Sequence, residues 1–156
     1  MLDDLPRIVE IYNSYVPGFT VTADTEPVSV ESRLAWFERH DPHKRPLWVA
    51  TSGDAIAGWL GFQPFYDRSA YDATAEISVY VAQEFLRQGI ARALMTMALD
   101  EGPRLGLKTL IGLAFAVNEP SLTMLRSFGF EQWGLLPGAT ELAGVERDVA
   151  IMGRKL

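Results

Sequence analysis

The feature that most constrains the fold is a strand, a short glycine-containing loop and a helix that follow one another between Glu76 and Leu99. β-branched and aromatic residues favour a strand from Ala75 to Val81. Apolar residues then recur at helical intervals from Ile90, which predicts a helix that ends near Gly106. Strands that alternate with helices in a chain of 156 residues predict one mixed α/β domain over residues 1–156.

The same reasoning predicts the remaining elements. Helices are expected from Leu5 to Tyr15, from Ser29 to a stop at Pro42, and from Asn118 to about Phe128; strands are expected at 47–51, 55–62, 109–114, 131–135 and 145–153. The first two strands form a hairpin, and a polar and aromatic loop from Gln63 to Asp72 follows them. In the second helix we expect Val30, Leu34 and Phe37 to share the buried face.

Composition excludes several classes of protein. A hydrophobic content of 48% indicates a packed core, and 14 basic against 20 acidic residues give a net charge of −6. That balance argues against a broad nucleic-acid-binding face, which draws its affinity from clustered cations. Without cysteine the chain has no disulfide, thiolate zinc site or cysteine nucleophile, so a cytoplasmic location is expected. The chain contains no apolar run of about 18 residues, so no membrane span is predicted.

The start of the helix at Ile90 is a candidate phosphate-binding site. Unpaired N–H groups at a helix start attract anions, Gly89 and Ala91 allow close approach, and Arg87 and Arg92 add positive charge. A simple loop-to-helix connection explains the same residues about as well. Neither a P-loop nor a dinucleotide-binding glycine fingerprint occurs.

Two further features have competing interpretations. Glu76 shares a strand face with Ser78 and Tyr80, so it is either a water-facing acid or a partly buried general base with a raised pKa. His40 and His43 flank a proline without other metal ligands nearby, which favours a solvated turn and predicts no metal site.

Several separated motifs, taken in order along nearly the whole chain, resemble the GNAT N-acetyltransferases and, among them, the phosphinothricin acetyltransferase-like group. The segments that carry the resemblance are Glu10–Asn13, Glu26–Glu31, Arg33–Phe37, Glu76–Val81, Arg87–Leu94 and Asn118–Ser121 with Gly129–Phe130. The resemblance implies a central, mostly antiparallel, twisted sheet flanked by helices. The usual opening strand of the family is expected to be absent.

The resemblance also implies an acetyl-CoA-dependent transfer to the amine of a small molecule, such as an amino acid or its analogue, by direct attack in a ternary complex. Glu76 takes the position of the catalytic base. The implied cofactor contacts are Val79, Tyr80, Val81, Arg87, Gln88, Gly89, Ile90, Ala91, Arg92, Asn118 and Ser121. Loop residues Phe65, Tyr66, Arg68 and Tyr71 are candidate acceptor contacts, and a homodimer is expected from the family.

The chain departs from the family pattern at three places. Leu86 replaces a Gln or Arg at the start of the phosphate-loop signature, and Leu125 replaces a Tyr or His that can protonate the leaving thiolate in many relatives. The segment from Gly144 to Asp148 lacks the aromatic residues usual there. Two alternative functions therefore stay open: an acyl-CoA-binding sensor or interaction module with little turnover, and an acetyltransferase for protein N-termini or lysines.

Overall fold

The computed structural model describes Met1 to Leu156, and these residues form one six-stranded sheet with four α-helices. The helices are α1 (Leu5–Asn13), α2 (Val30–Glu38), α3 (Ile90–Glu101) and α4 (Glu119–Ser127). The strands are β1 (Leu47–Ser52), β2 (Ala55–Pro64), β3 (Thr74–Val81), β4 (Thr109–Phe115), β5 (Glu131–Leu142) and β6 (Val145–Lys155). The predicted mixed α/β class is confirmed.

The strands lie in the order β1-β2-β3-β4-β6-β5, and β3 with β4 is the one parallel pair. The sheet is therefore mostly antiparallel, as the resemblance implies. The first element of the described residues is a 3₁₀ turn at Leu2–Asp4, directly before α1.

Alternating side chains of the central strands feed two apolar clusters on opposite faces of the sheet. Leu60 and Ile77 join the larger cluster with Leu94 of α3 and Leu122 of α4. Trp59 packs instead with Ile8 of α1 and with half-buried residues of α2. Helices α1 and α2 thus cover one face of the sheet, and α3 and α4 cover the other.

The predicted inner face of α2 is partly wrong. The side chain of Ser29 accepts a hydrogen bond from the backbone N–H of Ser32, so it caps the helix at the predicted start. Leu34, however, is 37% exposed. Trp36 takes an inward position instead, with its ring 5.6 Å from the ring of Trp59. The large aromatic ring buries more apolar area than leucine, which explains why Trp36 rather than Leu34 faces the sheet.

Several element ends also differ from the predictions. α2 ends at Glu38, before Pro42, and α3 ends at Glu101 because Gly102 and Pro103 open a separate 3₁₀ turn. β5 runs past its predicted end at Leu135 to Leu142, because β6 continues to pair with it across an irregularity between Leu136 and Thr140.

Candidate active site

A cavity of about 350 Å³ opens on the face of the sheet that α1 and α2 cover. β2 contributes Trp59 and Gln63, and β3 contributes Glu76, Ser78 and Tyr80. These residues share a face because Trp59 pairs with Tyr80 and Gln63 pairs with Glu76 in the antiparallel register. Further lining residues come from α1, α2, the segment between them, β4, β5 and β6; among them are Tyr12, Val28, Arg33, Trp36, Leu113, Phe115, Thr140 and Val149.

Glu76 is the one carboxylate in the lining of this cavity. It is half-buried, and burial raises its pKa above the ordinary value for a glutamate. Desolvation is the only cause of this shift, so no neighbouring cation offsets the cost of burying the charge. The surroundings of Glu76 are therefore not those of a water-facing acid, the first of its two interpretations. The catalytic role itself stays a prediction.

Aromatic rings form a continuous wall of the cavity. The Trp59 ring stacks on Tyr80 with centroids 4.7 Å apart, and Tyr12 meets Tyr80 edge-on at 5.2 Å. Burial raises the pKa of the Tyr80 hydroxyl, so this group remains protonated across the physiological range. The indole N–H of Trp59 donates to the carbonyl oxygen of Ile8 at 3.2 Å, which attaches α1 to the sheet.

A polar network closes the outer end of this wall. The Tyr12 hydroxyl donates to the carboxylate of Asp24 and also contacts the hydroxyl of Thr22. The Nη2 group of Arg33 donates to the same Asp24 carboxylate at 2.6 Å. The Arg33 guanidinium carbon lies 5.0 Å from the centre of the Tyr12 ring. Two helices and the segment between them thus hold Arg33 against the cavity.

The strands β3 and β4 diverge next to this cavity. They pair at three positions, the last of which joins Glu76 to Ile111, although β3 continues to Val81 and β4 to Phe115. Val79 and Val81 therefore lie where β3 has lost its β4 partner. Backbone groups in such a cleft are available to the amides of an extended ligand. The carbonyl oxygen of Val81 already accepts a hydrogen bond from the Tyr15 hydroxyl at 2.6 Å.

The predicted phosphate loop leads from β3 into α3. The backbone N–H groups from Arg87 to Arg92 donate to no backbone acceptor in the protein, and the loop is largely exposed. Gly89 has φ +84°, a conformation that favours glycine, and nothing lies within 4 Å of where its Cβ would be. Arg87 and Arg92 are exposed and form no ion pair. The residues present fit a pyrophosphate: free N–H donors, positive charge and open space.

The two predicted contacts in the later segment sit at the start of α4. Asn118 is buried, and its side-chain oxygen accepts from the backbone N–H of Ser121 at 3.2 Å. This contact caps the helix, and a cofactor contact by either residue stays a prediction. Leu125 is 6% exposed and packs against Gly112 and Ile77 beneath the cleft. The position offers no proton donor.

The four loop residues predicted as acceptor contacts do not line the cavity that contains Glu76. Tyr71 packs against Phe65 and Tyr66, at 6.0 and 5.5 Å between ring centres, and Arg68 lies over Tyr66. Phe65 and Tyr66 line a neighbouring depression together with Gln63 and Trp36, which also border the cavity. The loop aromatics thus pack on one another, and their contact with an acceptor stays a prediction.

One of the two histidines differs from the expected solvated turn. His43 is exposed, whereas His40 is half-buried against Trp36 with ring centres 4.7 Å apart, and burial lowers its pKa. No three His, Asp or Glu side chains come together as metal ligands do. None of the helices combines the length and the apolar character that crossing a bilayer requires.

Sequence reasoning missed the residues that shape the cavity opposite Glu76. Tyr12, Arg33 and Trp36 belong to segments that carried the family resemblance, but they were assigned no role at the site. The available signal was the spacing of Arg33 and Trp36, which places both on one helix face. Trp59 and Gln63 could be assigned only once the register of β2 against β3 was known.

The chain is similar to acetyltransferases over most of its length. The model of the acetyltransferase (GNAT) family matches residues 8–130. YwnH of Bacillus subtilis strain 168, whose name assigns it provisionally as a phosphinothricin acetyltransferase, is 42% identical over 154 residues, which are 98% of this chain and 94% of that protein. The L-methionine sulfoximine/L-methionine sulfone acetyltransferase of Pseudomonas paraeruginosa is 29% identical and matches 96% of this chain and 87% of its own. The crystal structure of a phosphinothricin acetyltransferase from Sinorhizobium meliloti in complex with AcCoA superposes with a TM-score of 0.93 at 28% identity, covering 100% of this chain and 85% of that one.

Proposed function

The chain belongs to the acetyltransferase (GNAT) family, and from this we propose that residues 1–156 act as one domain that transfers the acetyl group of acetyl-CoA to the amine of a small amino acid or amino-acid analogue. The observation that carries the proposal is the position of Glu76. This half-buried carboxylate without a charged partner lies where β3 and β4 diverge, in the wall of a cavity large enough for a small acceptor. The similarity to acetyltransferases for phosphinothricin and methionine sulfoximine supports the choice of acceptor class.

Acetyl-CoA is the acyl donor, and three parts of the chain are proposed to hold it. The free N–H groups from Arg87 to Arg92 bind the pyrophosphate, with Arg87 and Arg92 adding charge in place of the polar residue that Leu86 lacks. Backbone groups around Val79 and Val81 pair with the pantetheine arm in the cleft. Asn118 and Ser121 contact the cofactor from the start of α4.

Glu76 removes a proton from the acceptor ammonium, directly or through water, and the free amine then attacks the thioester carbonyl carbon. Val79 lies three residues further along β3, about 10 Å between Cα atoms at the usual rise of a strand. The acceptor amine or one water fills the space between the carboxylate and the thioester. A backbone N–H near Val79 stabilises the developing oxyanion.

Collapse of the tetrahedral adduct breaks the C–S bond, and the acetylated nitrogen gives up its second proton. The CoA thiolate takes up one proton, so the overall reaction releases one proton from the ammonium. Leu125 cannot supply the proton that the thiolate takes up, but a thiol with a pKa near 8.5 leaves as a thiolate at a moderate cost. Tyr80 or water is proposed as the donor. Burial raises the pKa of the Tyr80 hydroxyl above that of a thiol, so Tyr80 hydrogen-bonds to the thiolate and the final proton comes from solvent water.

The protein is also proposed to form a homodimer. β5 lies at the edge of the sheet and exposes Trp133, Leu135 and Leu136 to 46%, 44% and 44%. Exposed apolar side chains on an edge strand suit a self-complementary contact. Light scattering of the wild type and of Leu136→Lys measures the mass in solution. We expect a dimer for the first and a shift toward monomer for the second; a monomeric wild type contradicts the proposal.

The test of the function mixes purified protein with acetyl-CoA and a panel of small amines, amino acids and peptides, and measures released CoA thiol. Turnover with amino acids or their analogues supports the proposal. Turnover confined to peptides with free N-termini or lysines would favour a protein acetyltransferase instead. Binding of acetyl-CoA without turnover on any amine would favour the sensor or interaction module.

A matched pair of glycine variants tests the cofactor loop. Gly89 and Gly144 both have positive φ and open space at the Cβ position, but Gly144 lies in the β5–β6 turn. Alanine at either position costs about 1–2 kcal/mol of stability. We expect only Gly89→Ala to weaken acetyl-CoA binding in calorimetric titration. Equal affinity of the two variants would contradict the assignment of the loop.

A further inference from the structure

Arg33 is the one cationic side chain in the lining of the cavity, and Glu76 is the one acidic side chain. Glu76 accepts a proton from the amine of the acceptor, but no step of the proposed reaction involves the Arg33 guanidinium. A cation held against an otherwise largely apolar cavity is a candidate binding group for an anionic part of the acceptor.

The hydrogen-bond partners of Arg33 leave it free to bind a second anion. Only its Nη2 group has a protein acceptor, the carboxylate of Asp24 at 2.6 Å. A guanidinium carries five N–H donors, so the rest of the group can still donate. Tyr12 and Trp36, whose ring centres lie 5.0 and 6.0 Å from the guanidinium carbon, keep the side chain in place. A preorganised guanidinium of this kind binds a carboxylate without first losing conformational freedom.

Most of the side chains that line the cavity are apolar, and its uncharged polar members include Gln63, Ser78 and Thr140. Trp59, Tyr80 and Leu113 line it together with aliphatic residues of α1. Once Arg33 and Glu76 bind the carboxylate and the amine, a charged acceptor side chain would lose its hydration there without a counter-charge, whereas a large apolar side chain would bury its surface.

We propose that Arg33 binds the carboxylate of an α-amino acid acceptor, and that the apolar wall selects acceptors with a large apolar side chain. The inference rests on the proposed acetyl transfer and names the acceptor more closely. It makes Arg33 a specificity-determining residue, while the base and the acetyl-CoA site work in the same way for any amine that enters.

The test compares L-phenylalanine with 2-phenylethylamine, which lacks the carboxylate but keeps the ring and the amine. kcat/KM is measured for both in the wild type, Arg33→Met, Arg33→Lys and the control Arg104→Met. Arg104 is an exposed arginine that pairs with Glu101 outside the cavity. Because a charged hydrogen bond contributes about 1.5–3 kcal/mol, we expect Arg33→Met to lower the preference for phenylalanine about 10- to 100-fold, mainly through KM.

A purely structural role of Arg33 would reduce both reactions equally, so an unchanged ratio in Arg33→Met overturns the proposal. Arg33→Lys should keep part of the preference, and Arg104→Met all of it. If Arg33→Met does not fold, wild-type enzyme with L-phenylalaninamide makes the same test, because the amide removes the anionic charge from the acceptor instead. Equal kcat/KM for the amide and the acid at matched free-amine concentration overturns the proposal.

The apolar wall is tested with L-glutamate against L-phenylalanine in the wild type. We expect phenylalanine to be the better acceptor, and a higher kcat/KM for glutamate overturns this part of the inference. Failure of the proposed acetyl transfer gives a different result from failure of this inference: acetyl-CoA binds, but no amine in the panel is acetylated.

Discussion

Replacing Glu76 by glutamine separates the catalytic role of this carboxylate from its structural effect. Glutamine keeps the size of the side chain but cannot accept the proton of an ammonium. A positioned general base contributes about 10²- to 10⁴-fold to a rate. We therefore expect kcat/KM to fall by this range, about 3–5 kcal/mol of transition-state stabilisation.

The same substitution should raise the stability of the fold at neutral pH. Burial raises the folded-state pKa of Glu76 above its unfolded value, so the ionised form is the less stable one in the native protein. The stability that Glu76 contributes is present below the unfolded pKa and is lost as the pH rises through the folded pKa. Glu76→Gln should thus melt at a higher temperature than the wild type at pH 7, and the difference should vanish in acid.

The assay records thiol release over a range of pH, together with thermal melts of the same samples. In the wild type the acid limb of kcat/KM should lie above the ordinary range of a glutamate, and it should be missing in the variant. Glu131→Gln, an exposed glutamate at the start of β5, is the control and should change neither quantity. Full turnover of Glu76→Gln across the pH range would refute the assignment of the base.

Three further substitutions test the packing around the cleft. In Gly58→Ala the new Cβ would lie 2.7 Å from the Tyr80 carbonyl oxygen and 3.0 Å from Ile90, so we expect a loss of about 1–3 kcal/mol in urea unfolding; Gly18→Ala, with 3.6 Å to its nearest neighbour, should lose much less. Leu125→Ala removes a side chain from the core beneath the cleft and should cost about 2–5 kcal/mol, and a smaller loss would mean that the residue is not packed there. Tyr15→Phe removes the donor to the Val81 carbonyl and should cost about 0.5–1.5 kcal/mol, measured in the same way.

The sequence predicted the elements whose local signals agree with their tertiary surroundings. The start of α2 follows from the Ser29 cap, and the start of α3 follows from the apolar periodicity that begins at Ile90, directly after Gly89. Periodicity failed for the inner face of α2, where Leu34 is exposed and Trp36 is not, because the choice depends on the ring of Trp59 that the helix meets. Local residues carry no record of that partner.

The length of β5 illustrates a second limit. Pro137 and Gly138 are turn residues by local chemistry, and they favour an end of the strand near Leu135. β6 nevertheless resumes pairing at Thr140, because the two strands are joined by a tight turn and lie side by side over most of their length. Pairing with a neighbour along the chain thus overrides the local signal, at the cost of an irregularity in the ladder.

The site combines both kinds of information. The phosphate loop and Glu76 stand within one contiguous unit, so the strand-loop-helix pattern and the family resemblance could identify them together. The acceptor side of the cavity is assembled from α1, α2 and β2, whose contributions meet only in the folded chain. The unit proposed to bind acetyl-CoA can therefore be identified from local sequence, whereas the groups proposed to select the acceptor depend on long-range packing. The same division explains why Arg33, rather than a residue of the predicted loop, is the side chain on which we base the choice of acceptor.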